Sequence, residues 1–259
     1  VTDTASAAAR DCKNCGAPLP PEARFCSACG QRAEVARLTL PHLLHEVPHA
    51  IFHVDRGFVP TLRGLFRAPG VTINGYLDGR RIHVFNPLTL LVLLAGLSAV
   101  LYSAYPFQLA YRAEGMSEAV AAHYTQFVAL QFKFYSMTLL VYVPALALIT
   151  WLSFWRNGRR FGEYVVVNAF VMAGASAIML AMFPFMVLAD RSGQLAAMMN
   201  VYVILAGTFQ VVAWQRVFVL PDRGLSTAFR AAMAMVLYLA IVSVLPVLVF
   251  QFWYLPLVV

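Results

Sequence analysis

Between residues 84 and 111 the chain carries no charged side chain, and within that run residues 86–107 read NPLTLLVLLAGLSAVLYSAYPF. A helix climbs about 1.5 Å per residue and the hydrocarbon core of a bilayer is about 30 Å thick, so roughly 20 apolar residues suffice to cross it. Such a run, with its backbone hydrogen bonds closed within itself, is suited to lipid and poorly suited to water. Four more uncharged runs follow, at 134–155, 164–189, 192–215 and 231–259. The pattern predicts an all-α polytopic membrane protein with about five transmembrane helices, near 86–107, 134–155, 164–189, 194–215 and 231–255. Composition agrees: 61% of the 259 residues are hydrophobic and 12% charged, against about 45–50% and 25% in an average soluble domain.

The flanking charges set an expected orientation. With the N-terminus cytoplasmic, Arg56, Arg63, Arg67, Arg80, Arg81, Arg156, Arg159, Arg160, Arg216, Arg223 and Arg230 lie inside, and Arg112, Lys133 and Arg191 outside. Basic residues concentrate on the cytoplasmic side of membrane proteins, which selects N-terminus in and C-terminus out. A rival arrangement makes the third and fourth runs a re-entrant hairpin about the short 190–193 turn, although both have full spanning length. Residues 1–37 contain no apolar segment of the signal-peptide kind, so the first span is expected to serve as its own insertion signal. Arginine outnumbers lysine 17 to 2, and alanine and valine are abundant. That usage suggests a GC-rich bacterial source, and with it the inner membrane.

All four cysteines fall before residue 30, at 12, 15, 26 and 29. Each C-x-x-C places two thiolates on one tight turn, Gly16 and Gly30 permit the backbone such turns need, and two facing turns complete a tetrahedral sulfur shell. The expected ligands are Cys12, Cys15, Cys26 and Cys29, the expected metal is structural zinc, and the expected module is a zinc ribbon over residues 1–36. Two disulfides or a redox dithiol are the alternatives. Four sulfurs leave no open position for water, which argues against zinc catalysis. Pro18, Pro20 and Pro21 stiffen the connection, and Phe25 is expected to supply the module's only sizeable apolar packing. The net charge of residues 1–37 is only +1, so no nucleic-acid partner is expected. The chain's overall +7 instead lies beside apolar runs, where anionic lipid is the expected partner.

Residues 37–83 are expected to form amphipathic interfacial helices and a basic loop ahead of a membrane domain at 84–259. Leu43, Val47, Ala50, Val54 and Phe58 recur at helical steps, and His42, His45, Glu46, His49 and His53 share the opposite face. Pro48 should kink that helix. A second helix is expected at 60–67, ending at Pro69-Gly70, followed by a loop that carries Gly75, Gly79, Arg80 and Arg81. Arg56, Arg63 and Arg67 share a face, which suits a helix lying in the headgroup layer. These three, with Arg80 and Arg81, are the candidate lipid-headgroup or partner-binding residues. Arg80 and Arg81 could grip a lipid phosphate or simply mark the cytoplasmic side.

Several of these pieces together resemble a family of bacterial membrane proteins of unknown function with an N-terminal zinc ribbon. They are Cys12-Lys-Asn-Cys15-Gly16, Phe25-Cys26-Ser-Ala-Cys29-Gly30-Gln31, the stretch from His49 through His53-Val-Asp55, Thr61-Leu62, Pro69-Gly70, Tyr76-Leu-Asp-Gly79-Arg80-Arg81 and Asn86-Pro87. The resemblance covers roughly residues 12–87. It implies a zinc ribbon fused to several helices and supplies no activity.

Three functions compete on sequence grounds. The first is an inner-membrane scaffold or accessory protein whose ribbon docks a cytoplasmic protein. The second is a lipid-handling factor or enzyme that works at the headgroup layer through the 42–55 helix and Arg80/Arg81. The third is a channel or transporter, disfavoured because no Asp, Glu, Lys, Arg or His lies deep in any span. Asn168, Thr208, Gln210 and Gln251 are the polar residues within spans, expected to hydrogen-bond between helices. Signatures of soluble enzymes, such as a phosphate-cradling glycine loop, G-x-S-x-G or H-E-x-x-H, are lacking. No catalytic residue is assigned, and His49, His53, Glu46 and Asp55 are the only candidates. An enzyme is the less favoured reading.

Overall fold

The computed structural model describes residues 10–35, 57–105, 107, 117–218 and 224–254. The ribbon has two short strands, β1 (Arg10–Asp11) and β2 (Pro18–Leu19), paired antiparallel with Arg10 opposite Leu19. All the longer elements are helices: α1 (Phe58–Arg67), α2 (Pro69–Leu77), α3 (Pro87–Ala104), α4 (Glu118–Lys133), α5 (Tyr135–Ser153), α6 (Phe161–Arg191), α7 (Leu195–Val217) and α8 (Gly224–Val249). A π-helical turn, Phe250–Tyr254, continues α8.

The bundle is built around α6. Residues 164–176 are all buried, because α3, α5 and α7 pack around this half of the helix and α1 and α2 touch it. A helix apolar on every side has to be enclosed by others or by lipid. Side-chain contacts give the helix directions. Thr150 near the end of α5 and Trp214 near the end of α7 both reach Asn168 near the start of α6, so α5 and α7 run antiparallel to it. Tyr102 at the end of α3 donates to Met186 Sδ at 2.7 Å late in α6, and Arg230 early in α8 reaches the carbonyl of Ser153 at 2.7 Å. Helices α3 and α8 therefore run parallel to α6. One end of the bundle thus collects the start of α3, the end of α5, the start of α6, the end of α7 and the start of α8, and α1, α2 and the ribbon lie at that same end.

Among the described residues, four stretches are long and apolar enough to cross a membrane: Pro87–Ala104, Phe161–Arg191, Leu195–Val217 and Ser226–Tyr254. The second of the five expected runs differs. Its described apolar stretch within α5 is Met137–Ser153, and the stretch before the backbone break at Phe134 (φ −102°, ψ 22°) forms the separate helix α4. The described residues thus hold four candidate spans and one shorter apolar helix.

A second departure lies at Pro69-Gly70, expected to close a helix and open a loop. Instead, Pro69 occupies the first turn of α2, where its fixed φ is preorganised and its missing N–H costs nothing. Gly70 is there for space: a Cβ on it would stand 2.5 Å from the carbonyl oxygen of Arg216, so α2 rests directly on the backbone of α7. Ile73 and Tyr76 of α2 are then buried in the main core, and the loop shrinks to residues 78–86.

Candidate metal centre and arginine groove

The two cysteine turns are built alike. Cys12 N–H donates to Ala17 O at 2.8 Å and Gly16 N–H to Cys12 O at 2.8 Å; Cys26 N–H donates to Gln31 O at 2.7 Å and Gly30 N–H to Cys26 O at 2.8 Å. Gly16 (φ 74°) and Gly30 (φ 76°) occupy the left-handed region, where a side chain would be strained. The turns face each other. Cys12 Sγ lies 3.6 Å from Cys29 Sγ, Cys15 Sγ lies 3.6 Å from Cys26 Sγ, and all four sulfurs fall within 4.8 Å of one another. None is in a disulfide.

A tetrahedral zinc with sulfurs at about 2.3 Å has S···S edges of about 3.8 Å, so the donor set fits the ion. Proton energetics agree. The backbone N–H groups of Cys15 and Asn14 bring the Cys12 thiol down to about 7. At Cys15 the Ala17 N–H pulls in the same direction, but burial and the hydrogen bonds shared with Cys29, Cys26 and Cys12 outweigh it and push that thiol up to about 12. The Cys12 thiolate forms readily and that of Cys15 resists, so a cation among the sulfurs is what would favour ionising both. The ribbon holds a structural zinc on Cys12, Cys15, Cys26 and Cys29.

The small core around this centre consists of Cys12, Leu19 and Cys26, with alanines packed against it. Phe25, expected to fill it, stands 57% exposed. Its backbone pairs with Arg32 across the second turn, and that pairing turns the side chain outward.

The ribbon is seated on the helices. Gln31, buried directly after the second cysteine turn, accepts the Arg81 N–H on its Oε1 at 3.0 Å, and Lys13 and Val35 pack over Gly79. The Arg81 guanidinium lies 5.2 Å above the Tyr76 ring, a cation–π contact that ties the same loop to α2. Thr61 Oγ1 closes the joint on the other side, accepting Phe85 N–H at 2.8 Å and donating to Gly57 O at 2.7 Å. Asn86 caps α3 by accepting the N–H groups of Leu88 and Thr89 at 3.0 and 3.3 Å.

Other predicted positions scatter. Arg63, Arg67 and Arg80 are exposed and Arg81 is half-buried. His42, His45, Glu46, His49, His53, Asp55 and Arg56 lie outside the described residues. Asn168, fully buried, donates to Thr150 Oγ1 and Tyr164 O, each at 2.8 Å, and accepts Trp214 Nε1–H at 3.1 Å. It locks α5, α6 and α7 together, the interhelical role expected for it. The side-chain oxygen of Gln210, also buried, has no hydrogen-bond partner among the described residues.

Two cavities had no sequence signal. One, of about 310 Å3, lies among α4–α8 and is lined by Tyr135, Tyr142, Tyr202, Tyr238 and Gln210 together with methionines and aliphatic side chains. Its tyrosines sit in apolar runs and read there as bulk. The other is a groove of about 680 Å3 where α1, α2 and α7 meet, whose lining includes Arg67, Arg80 and Arg216. These arginines come from three separate segments, and only the packing of α2 on α7 brings them together.

Fold and site define a class: a zinc ribbon joined to a bundle of apolar helices suited to a bilayer. Residues 12–32 match a model described as a zinc-ribbon domain, and residues 55–98 match a family described as "Protein of unknown function (DUF3667)". The second match runs through α1 and α2 into α3 and takes in the Thr61, Pro69-Gly70 and Asn86-Pro87 joints. No curated protein and no solved structure matches the chain.

Proposed function

We propose that this protein is a bacterial inner-membrane scaffold or accessory protein whose ribbon, on the cytoplasmic side, docks a protein partner. In this reading residues 1–36 are the docking module, 37–83 the interfacial connection and 84–259 the membrane anchor, with the N-terminus inside and the C-terminus outside. The observation that carries it is the exposed Phe25 on a ribbon that is itself fixed to the helices through Gln31 and the 78–81 loop. An aromatic side chain left exposed on a module this small is the kind of anchor that protein interfaces are built on. A closed four-sulfur shell suits a rigid adapter rather than a reacting centre. The orientation is supported by the cluster of Arg80, Arg81, Arg156, Arg159, Arg160, Arg216 and Arg230 around one end of the bundle.

The test is site-specific photocrosslinking. A photoreactive phenylalanine analogue at position 25 should give a discrete adduct in cells, lost when Cys26→Ser unfolds the ribbon. Absence of an adduct at position 25, or an adduct indifferent to Cys26→Ser, would remove the docking function. A periplasm-only reporter fused after Val259 should be active; activity of a cytoplasm-only reporter there would reverse the orientation.

A further inference from the structure

We propose that the groove between α1, α2 and α7 binds the headgroup of one anionic phospholipid from the leaflet on the ribbon's side of the bundle. The inference does not depend on a protein partner for the ribbon.

The groove changes character along its length. On α7 its lining runs through Phe209, Val212 and Arg216, positions i, i+3 and i+7 of one helix face, so the wall passes from apolar to cationic within about 10 Å. Phe66, Val71 and Val212 are exposed at its apolar part, as residues that face acyl chains are. The Phe66 and Phe209 rings meet there, with centroids 5.1 Å apart. The cationic part lies at the end of the bundle that carries the ribbon, where Arg67 ends α1, Arg80 follows α2 and Arg216 stands in the last turn of α7.

Neighbouring arginines show why these three stand out. Arg159 donates to Asn74 Oδ1 at 2.9 Å, Arg230 to Ser153 O at 2.7 Å, and Arg81 lies over Tyr76; all three hold the fold together. The side chains of Arg67, Arg80 and Arg216 make no hydrogen bond or ion pair with any described residue. Asp78 is the one carboxylate in the lining. The first turn of α2 adds to the field: Ala68, Pro69, Gly70 and Val71 line the groove, and this helix start has neither a capping side chain nor an acidic residue. Its open N–H groups and partial positive charge favour an anion.

Planar guanidinium groups pair bidentately with phosphate, and basic pockets at helix ends on one face of a membrane protein suit anionic headgroups. A phosphate attached to an acyl body matches both halves of the groove, whereas a free anion matches only one.

The test uses the full chain purified in mild detergent. Native mass spectrometry should show one phosphatidylglycerol retained per chain, with roughly tenfold preference over phosphatidylcholine of the same acyl chains, the order of effect expected of a charge-assisted pair. Arg67→Gln/Arg80→Gln/Arg216→Gln should abolish the preference, while Arg191→Gln, which removes one charge from an exposed position at the opposite end of the bundle, should keep it. If the triple variant fails to fold, Arg80→Gln alone should lower the preference about threefold. Retention of the preference in the arginine variants would overturn the proposal, as would equal binding of both lipids by the wild type. Inorganic phosphate that raises thermal stability as much as phosphatidylglycerol does would also overturn it, by making this a soluble-anion site.

Discussion

Asn168→Ala tests whether one buried amide fastens the bundle. The amide joins three helices, but its loss falls unevenly. Thr150 Oγ1 keeps the carbonyls of Leu146 and Ala147 at 2.9 and 3.1 Å, and Tyr164 O remains inside helix α6. Trp214 Nε1–H is different, because Asn168 Oδ1 at 3.1 Å is its acceptor and the indole is fully buried. A buried donor left unpaired costs about 1–3 kcal/mol, and interhelical hydrogen bonds in membranes average about 0.6 kcal/mol with a maximum near 1.7. The variant should therefore lose about 2 kcal/mol. The cost should depend on the indole: in Asn168→Ala/Trp214→Phe no donor is stranded, and the double variant should be more stable than the sum of the single losses by about 1 kcal/mol. Reversible unfolding in mixed detergent–SDS micelles, followed by far-ultraviolet circular dichroism, measures all four species. A loss under about 0.5 kcal/mol for Asn168→Ala, or strict additivity in the cycle, would refute the assignment of this network as the fastening between α5, α6 and α7.

Elemental analysis should find one zinc per chain, and Cys26→Ser should abolish it while membrane insertion persists, because the spans close their own backbone hydrogen bonds. Folding lowers the Cys12 thiol from its ordinary 9.0 to about 7 and raises that of Cys15 to about 12, so in the metal-free ribbon the Cys12 contribution to stability is present above pH 9 and lost as pH falls through 7, whereas the Cys15 contribution is present below pH 9 and lost as pH rises through 12; zinc uptake after chelation should fade as pH falls from 9 through 7. Gly70→Ala should cost about 1–3 kcal/mol by overpacking, since its Cβ would meet the Arg216 carbonyl rather than a yielding side chain; a variant as stable as wild type would show that α2 does not rest on α7. Gln31→Ala removes the acceptor for the Arg81 N–H and should loosen the ribbon by about 1 kcal/mol, seen as roughly fivefold faster proteolysis between ribbon and α1; unchanged cleavage would mean that the Lys13 and Val35 contacts suffice.

What the sequence determined by itself is whatever depends on neighbours along the chain. An uncharged run of sufficient length specifies an apolar helix regardless of what surrounds it, and two C-x-x-C turns with following glycines specify four convergent thiolates, because turn geometry is local. The tertiary structure decided what depends on distant segments. Pro69-Gly70 reads equally well as a helix end or a helix start, and the choice fell to the carbonyl of Arg216, against which only a glycine can sit. Phe25 looked like core because it is the largest apolar side chain of its module, yet the space beside the sulfurs holds Leu19. Arg67, Arg80 and Arg216 are ordinary flanking charges in the sequence; they become one cationic groove only when α2 lies across α7, since charge adds up through space and not along the chain. Asn168 is the intermediate case: a lone amide in an apolar run announces a partner, and only the packing of α5 and α7 on α6 named Thr150 and Trp214.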